Sequence, residues 1–426
     1  MRLFWLAATA LIVGCGPGPV LAAKPSPGYS PYLLIFAGDK DAKNEDFFAV
    51  IDVRPGSATV GKVVATRLTG MKESMPHHME YVLPAKGRLL FANAHHHEIT
   101  YLLDFSKPLA LKIKRTIGPP APLRFGHDFV RLSNGHMLLG FLRSEGPSPV
   151  AGDTMEPAGA GGIAEYTARG DLLRQVSAAV KSLAKPVRPY AIVPMLNIDR
   201  VVTTSAPMME QDSADVVQIW RYSDLKLLHT IPVPPGTHPD GTAFDGAARY
   251  PFGPRLLNDG SILMNSYGCG LYRLTGIGSD TPALVNVYTF AAPPPVAGKV
   301  GGACSIPVVR DHYWIMPVGR AHEVVALDIS DPTKPREVSK LVFRPDFNPH
   351  WSALDPNSNR LVIGAELGGE QGMFILTFDK RTGKLAFDTS AMSAAGVPGY
   401  IDLETQNWPH GKSGAAWGHA ALFLPQ

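Results

Sequence analysis

The amino-acid sequence predicts an all-β protein, a seven-bladed β-propeller whose ring is closed by pairing strands from the two ends of the chain. Three observations support this fold class: a composition rich in turn-forming residues, seven copies of a strand–turn–strand pattern, and seven copies of a second apolar unit between them. The propeller is expected to span residues 30–426.

The composition is that of a globular protein with many turns. The 426 residues include 42 glycines and 39 prolines, above the usual shares of about 7 % and 5 %. Hydrophobic residues make up 45 % and charged residues 18 %, which excludes disordered, collagen-like and coiled-coil classes. The net charge of +3 comes without a basic run, so we expect no nucleic-acid partner. No mature segment has the roughly 18 consecutive apolar residues of a transmembrane helix.

The first residues have the pattern of an export signal. Arg2 precedes an apolar run from Leu3 to Val13, and Val20-Leu21-Ala22 resembles a cleavage site. We therefore expect residues 1–22 to be a signal peptide and the mature protein to be periplasmic or secreted. Ile12-Val13-Gly14-Cys15 also resembles a bacterial lipoprotein box, so lipid anchoring at Cys15 is the alternative.

Seven hairpin patterns recur along the chain, each with period-two alternation of apolar residues around a turn of Gly, Pro, Asp or Ser. They begin at Phe47, Glu98, Gly162, Val216, Gly270, Glu323 and Gly372, spaced 49 to 64 residues apart. Between them lies a second unit, in which a polar residue precedes an apolar stretch, a turn and a strand. Two such units make a four-stranded antiparallel sheet, and seven sheets around a channel make a propeller. The unpaired outer hairpin at the start and the inner unit at the end are predicted to close the ring.

The first strand of each blade lines the channel of a propeller, so the residues that open the second unit are predicted to surround one channel mouth. In chain order they are His78, His127, Tyr190, His238, Cys304, His350 and His410. Five of these seven positions are histidine, although the whole chain has only 14 histidines. Imidazole is the commonest metal ligand, and a histidine set suits copper, iron, zinc or nickel. The alternative is that these histidines only satisfy buried backbone carbonyls.

We predict His78, His127, His350 and His410 as metal ligands. His238 ranks only fifth, because His238-Pro-Asp-Gly also fits a turn. Tyr190, Cys304 and His77 are predicted to line the channel.

Within this lining, Tyr190 is expected to donate a hydrogen bond. Cys304 is either an inert buried thiol or a soft ligand, and its pairing with Cys269 stays open. Only one of His77 and His78 is expected to reach the axis, because successive side chains of a strand alternate.

Other features are assigned less specific roles. The triplet His95-His96-His97 is predicted to lie in a solvated loop between two strands. Glu80, Asp128, Asp240 and Glu366 are near enough in sequence to orient the histidines. G-x-S-x-G, P-loop, H-E-x-x-H and C-x-x-C motifs are absent, which disfavours common hydrolase, nucleotide-binding and structural-zinc functions.

Four segments carry a family resemblance: Pro76-His77-His78, Gly126-His127-Asp128, Ala326–Arg336 and Trp408-Pro409-His410. With them the chain resembles the selenium-binding protein family, whose bacterial members include exported, copper-dependent methanethiol oxidases. The resemblance implies a seven-bladed propeller with a histidine-bound metal in its channel. The Cys-Ser-Ser-Cys segment of classical members is absent, so selenium binding is not carried over. His127-Asp128-Phe129 is also similar to carotenoid-cleaving oxygenases, which are seven-bladed and hold iron with four histidines.

The leading expectation is an exported metal-dependent oxidase that acts on a small thiol or a similar reduced compound and passes electrons to dioxygen. Copper is the expected metal and iron is the alternative. A non-catalytic periplasmic binding or scaffold propeller with structural histidines, or an iron-dependent four-histidine oxygenase, are the other hypotheses.

Overall fold

The computed structural model describes residues 28–145, 159–208, 212–238, 240–292, 303–366, 371–391, 396–411 and 414–425. Their β-strands form seven blades of a propeller, which confirms the predicted fold class. The predicted signal peptide, including Cys15, lies outside the described residues. Within the described ranges, no helix has the length and apolarity that a membrane span requires.

The strands follow one another with short connections. In chain order they are β1 (Tyr32–Asp39), β2 (Phe47–Asp52), β3 (Val63–Leu68), β4 (Pro76–Met79), β5 (Leu89–Ala94), β6 (Ile99–Asp104), β7 (Lys112–Ile117), β8 (Leu123–Arg131), β9 (Met137–Ser144), β10 (Gly159–Tyr166), β11 (Leu172–Ser177), β12 (Pro189–Met195), β13 (Arg200–Ser205), β14 (Val216–Arg221), β15 (Lys226–Pro232), β16 (Gly236–Thr237), β17 (Ala243–Phe244), β18 (Pro251–Leu256), β19 (Ile262–Ser266), β20 (Gly270–Thr275), β21 (Ala283–Thr289), β22 (Val308–Arg310), β23 (Tyr313–Val318), β24 (Glu323–Asp328), β25 (Arg336–Val342), β26 (Pro349–Leu354), β27 (Arg360–Ala365), β28 (Met373–Phe378), β29 (Leu385–Phe387), β30 (Tyr400–Ile401) and β31 (Ala416–Leu424). Short 3-10 helices span Pro108–Ala110, Leu196–Ile198, Asp245–Ala248 and Gly319–Ala321.

Each blade is an antiparallel sheet of four main strands. Blade 1 contains β4–β7, blade 2 β8–β11, blade 3 β12–β15, blade 4 β18–β21, blade 5 β22–β25, blade 6 β26–β29, and blade 7 β31 followed by β1–β3. The β30 strand pairs with β28, and β16 with β17 forms a separate ribbon. The seven predicted hairpins are the third and fourth strands of the seven blades.

Blade 7 joins the two ends of the chain. Its β1 pairs antiparallel with β31, from Tyr32 opposite Leu424 to Asp39 opposite Ala416. The predicted closure by terminal strands is therefore confirmed, but blade 7 takes three strands from the N-terminal side. The sequence pattern missed β1 because seven of its eight residues are buried, so apolar and polar residues do not alternate.

Burial decreases from the middle of each blade to its outer edge. Every residue of β2, β23 and β27 is buried, because these strands are covered on both faces by neighbouring blades. The outer strands β7 and β25 are mostly exposed and carry several charged side chains. The channel side of the ring is formed by the inner strands.

Candidate metal centre

Six inner strands contain a local register shift of the β-bulge type directly after a proline or glycine. These residues are Pro76, Gly126, Pro189, Pro251, Pro349 and Gly418. A bulge adds residues without ladder partners and re-aims their side chains, and it tolerates proline, which has no N–H to donate. The residues placed in this way are His77 with His78, His127, Tyr190, Phe252, His350 and His419.

Side chains of the second strands hold two of these bulges, and the segment before β22, in place. Asn93 of β5 donates to the His127 carbonyl (3.3 Å), Thr204 of β13 to the Phe252 carbonyl (2.9 Å), and Asn265 of β19 to the Ser305 carbonyl (3.0 Å). Each of these bonds joins one blade to the next. The backbone of the channel residues is therefore fixed by neighbouring blades as well as by its own sheet.

Six histidines from four blades converge in the channel. They are His77, His78 and His95 of blade 1, His127 of blade 2, His350 of blade 6 and His419 of blade 7. All six are buried, with at most 6 % of the residue surface exposed. Ring centroids are 4.2 Å apart for His77–His78, 4.3 Å for His78–His127, 4.4 Å for His77–His419, 4.6 Å for His350–His419, 5.0 Å for His77–His127 and 5.6 Å for His77–His95. We call this set the histidine cluster.

Two histidines of the cluster have one ring nitrogen held by the protein. His127 Nδ1 donates to the Tyr190 carbonyl at 2.9 Å, and His350 Nδ1 lies 2.7 Å from the Ser305 hydroxyl oxygen. A carbonyl only accepts, so in neutral His127 the proton is on Nδ1 and Nε2 has a free lone pair. Holding one imidazole nitrogen while the other stays available is typical of metal-binding histidines.

Most of the remaining nitrogens of the cluster lack hydrogen-bond partners among the described residues. Both ring nitrogens of His77, His78 and His419, and Nε2 of His127 and His350, are buried without a partner among the described residues. A buried polar atom left in this way costs about 1–3 kcal/mol. The presence of so many unpartnered ring nitrogens in one place indicates a site for a ligand that several of them would bind together.

Burial also keeps these imidazoles neutral. It lowers the pKa of His127 and of His350 to about 3. Burial, and next the neighbouring imidazoles, lower the pKa of His77 well below its usual value. At neutral pH the cluster is therefore uncharged, which is the form in which imidazole binds metals.

The spacing of the cluster fits a single metal ion. One ring nitrogen from each of His77, His78 and His419 can be chosen so that all three lie within 4.8 Å of one another. With metal–nitrogen bonds of about 2.0–2.1 Å, two imidazoles on one ion have centroids roughly 4.5–5.5 Å apart, close to the separations in the cluster. An all-nitrogen donor set favours copper, zinc, iron or nickel over calcium or magnesium. These three residues, with His127 and His350 beside them, are the candidate ligands.

Both His77 and His78 belong to the cluster, and the prediction that only one reaches the axis is wrong. Between Pro76 and Met79 the register shifts, so the two histidines lie opposite Asn93 alone. The His78 backbone N–H donates to Asn93 Oδ1 at 2.7 Å. Alternation fails here because the strand is not regular.

Two predicted ligands lie outside the cluster, and their predicted positions are wrong. His410 is half-buried before β31 begins, with its Nδ1 2.9 Å from Thr66 Oγ1, and the inner strand of blade 7 carries His419 instead. His238 lies at the turn between β16 and β17, where its ring stacks on Phe244. The Gly241 N–H donates to the His238 carbonyl at 2.9 Å, so His238 begins a turn, and Phe252 occupies the channel position of blade 4.

Cys304 does not carry a free thiol. It is joined to Cys269 by a disulfide bond, and both residues are fully buried. Both expectations for Cys304, an inert free thiol and a soft ligand, are therefore wrong, and its open pairing with Cys269 is what forms. Its neighbour Ser305 makes the contact with His350.

The histidine triplet divides between two environments. His96 and His97 are exposed, as predicted, but His95 is buried with its ring 5.2 Å from that of Phe125. The expectation of a solvated loop is wrong for His95, because the aromatic side chain of blade 2 covers it.

The structure gives other roles to the predicted orienting carboxylates. Glu80 pairs with Arg131 at 2.6 Å, Asp128 accepts from the Ile192 N–H at 2.7 Å, Asp240 accepts from Thr242, and Glu366 accepts from the Tyr267 hydroxyl. The imidazoles are oriented by a carbonyl and a hydroxyl group instead.

His419 is the main residue that the sequence pattern missed. A signal for it was present, since Gly418-His419 at the start of an apolar stretch matches Gly126-His127. A similar signal marked the channel position of blade 4, where Pro251-Phe252 matches Pro189-Tyr190. His95 had no comparable signal, because it lies at a strand end and is covered by another blade.

A pocket of about 270 Å³ opens onto the cluster. His77, His350 and His419 line it together with several aromatic and methionine side chains. A small molecule can therefore reach the imidazoles directly.

Comparisons with known proteins support the fold. No family model matches the chain, and no curated protein matches its sequence. A solved structure described as a hypothetical selenium-binding protein from Sulfolobus tokodaii is similar, with a TM-score of 0.71 and 16 % identity over 92 % of this chain and 93 % of that chain. A periplasmic gluconolactonase from Pseudomonas aeruginosa has a TM-score of 0.59 and 14 % identity, covering 87 % of this chain and 97 % of its own. A putative 6-phosphogluconolactonase from Bacteroides fragilis has a TM-score of 0.58 and 10 % identity, covering 89 % and 99 %. At these identities the similarity establishes a shared fold.

Proposed function

We propose that the protein is an exported metal-dependent oxidase that acts on a small thiol or a similar reduced compound, with copper as the metal and iron as the alternative. The observation that carries the proposal is the convergence of six buried imidazoles whose ring nitrogens are largely unpartnered. The fold is shared with a protein described as a hypothetical selenium-binding protein, the family that four segments of the sequence resemble.

The chain itself supplies binding, orientation and access. His77, His78 and His419 would hold the ion, with His127 and His350 completing the shell from the neighbouring blades. Tyr190 and Ser305 keep the Nδ1 atoms of His127 and His350 occupied, so that Nε2 of each faces the cluster. Copper held by these residues would supply one-electron redox chemistry to the site. The pocket beside the cluster gives the substrate access to it.

Export is proposed on two independent grounds. The N-terminal sequence has the pattern of a signal peptide, and the Cys269–Cys304 disulfide is typical of proteins in oxidising compartments.

The experiment is oxygen uptake by protein that has been stripped with a chelator and reloaded with copper, iron or zinc, using ethanethiol as substrate. We expect uptake with copper, and none with zinc, which has no redox chemistry. His78→Ala should lose this activity, while the exposed-site control His96→Ala should keep it. Metal binding without oxygen uptake for any metal would overturn the oxidase assignment, and a folded protein that binds no metal would favour structural histidines.

A further inference from the structure

The Asn93 side chain lies between the two bulges that carry His78 and His127. Asn93 belongs to β5, the second strand of blade 1, and only 2 % of its surface is exposed. Its Oδ1 accepts from the His78 backbone N–H at 2.7 Å, and its Nδ2 donates to the carbonyls of Gly126 and His127. One buried amide therefore joins the backbones of two candidate ligands that come from different blades.

Both backbones are irregular at the points where this amide contacts them. In blade 1 the register shifts between Pro76 and Met79, and in blade 2 it shifts between Gly126 and Phe129. Backbone groups inside a bulge lose their ladder partners, and a buried group without any partner is costly. An amide side chain has an acceptor oxygen and two N–H donors, which match one N–H of blade 1 and two carbonyls of blade 2. Aspartate would offer acceptors only, and leucine would offer neither.

The position of the His78 ring follows from the position of its backbone. The His127 ring is held at Nδ1 by the Tyr190 carbonyl, whereas both ring nitrogens of His78 lack a hydrogen-bond partner among the described residues. The two histidine rings have centroids 4.3 Å apart. Because the Asn93 amide sets the spacing of the two backbones, losing its hydrogen bonds would change the spacing of the nitrogens that are available to an ion.

Two other polar side chains join neighbouring blades at second strands, but their hydrogen-bond partners are not candidate ligands. Thr204 donates to the Phe252 carbonyl, and Asn265 donates to the Ser305 carbonyl. Among these three residues, Asn93 is the one whose side chain contacts candidate ligands directly, and it contacts two of them.

We propose that Asn93 is a positioning residue of the metal site, which fixes the separation of His78 and His127 so that both can bind one ion. The inference rests on the proposed function for its claim that these histidines bind copper. It adds that a side chain outside the ligand set determines part of the copper affinity.

The test measures copper(II) affinity by competition with a chelator of known affinity. Asn93→Leu removes the acceptor and both donors, and we expect it to bind copper about 10- to 100-fold more weakly than wild type. Asn93→Asp keeps the acceptor for the His78 N–H but loses the donors, and its affinity should also fall.

Gln218→Leu is the matched control. Gln218 is a fully buried amide on the third strand of blade 3, where it donates to the Ala178 carbonyl at 3.0 Å. Its substitution likewise removes a buried amide bond, but this bond contacts none of the candidate ligands. The copper affinity of Gln218→Leu should therefore stay within about twofold of wild type.

Two readouts separate positioning from a general loss of stability. Asn93→Leu should cost clearly less affinity in a His127→Ala background than in wild type, because one of the two ligands through which Asn93 acts is gone. A purely structural role predicts the same loss in both backgrounds. The electron paramagnetic resonance spectrum of bound copper(II) should differ from wild type in Asn93→Leu and match it in Gln218→Leu.

Wild-type copper affinity or an unchanged spectrum in folded Asn93→Leu would overturn the proposal, as would an equal loss in both backgrounds or no copper binding by wild type. If Asn93→Leu does not fold by circular dichroism, Asn93→Asp takes its place in every comparison. Weakened copper binding in the Asn93 variants, with no oxygen uptake by wild type, would refute only the oxidase assignment. Oxygen uptake by wild type, with full copper affinity in Asn93→Leu, would refute only the role of Asn93.

Discussion

The Ser305 hydroxyl oxygen lies 2.7 Å from His350 Nδ1, although the two residues belong to neighbouring blades. Ser305 follows Cys304, which is fixed by its disulfide to Cys269, and the Ser305 carbonyl accepts from Asn265. These two contacts therefore hold the backbone that carries this hydroxyl group. His350 is oriented by a residue that is itself rigidly held.

Ser305→Ala should weaken copper binding by about 10- to 100-fold, because it removes the group that orients His350. Competition with a copper chelator of known affinity measures the change. Ser330→Ala is the control, since Ser330 is exposed at the turn after β24, where its N–H donates to Asp328. Unchanged affinity in folded Ser305→Ala would contradict a role in orienting His350.

Gly140→Ala should lower the free energy of unfolding by about 1–3 kcal/mol. A Cβ atom at Gly140 would lie 2.7 Å from the Pro189 carbonyl oxygen, and backbone atoms at a blade contact cannot move away easily. Gly118→Ala is the matched control, because no atom lies within 4 Å of its added Cβ. Urea unfolding of both variants measures the difference, and equal stabilities would show that the blades are less closely packed here.

Asp52 should stabilise the protein in a pH-dependent way. Burial alone would raise its pKa, but hydrogen bonds from Arg54, Ser57 and Thr59 outweigh burial and lower it to about 2. Because the pKa is lower in the folded than in the unfolded state, the stabilisation is present above about pH 4 and is lost as the pH falls through 2. Asp52→Asn should therefore cost about 2 kcal/mol at neutral pH.

Urea unfolding of wild type and Asp52→Asn between pH 7 and pH 2 checks this prediction. The difference in stability should be constant above pH 5 and shrink towards pH 2. Asp41→Asn, which removes an exposed partner of Lys43, should have little effect. A difference between wild type and Asp52→Asn that does not change with pH would contradict the assigned pKa.

The fold could be predicted because turns and alternation repeat at regular intervals along the chain. The hairpins at Phe47 and Glu323 each have an outer strand that is only partly buried, so their alternation is visible. The strands β1 and β31 are buried almost throughout, and burial on both faces removes the alternation that marks a strand. For this reason the sequence located the ring closure but not the strand that carries His419.

The candidate site was harder to predict because bulges, which sequence periodicity does not reveal, set the direction of its side chains. His77 and His78 both face the cluster only because the register shifts between Pro76 and Met79. His410 has the same Pro-His context as His350, yet no strand begins at that point. The local sequence context therefore predicted histidine ligands correctly. Whether a given histidine reaches the channel depends on where the strand begins, which the context did not reveal.

The central claim is that His419, and not His410, completes the metal site, and metal content tests it most directly. Wild type, His78→Ala, His419→Ala and His410→Ala would be loaded with copper, desalted and measured by inductively coupled plasma mass spectrometry, with circular dichroism to confirm folding. We expect about one copper ion per chain in wild type and in His410→Ala, and clearly lower occupancy in the other two variants. Full occupancy in His419→Ala together with loss in His410→Ala, or no copper in wild type, would contradict it.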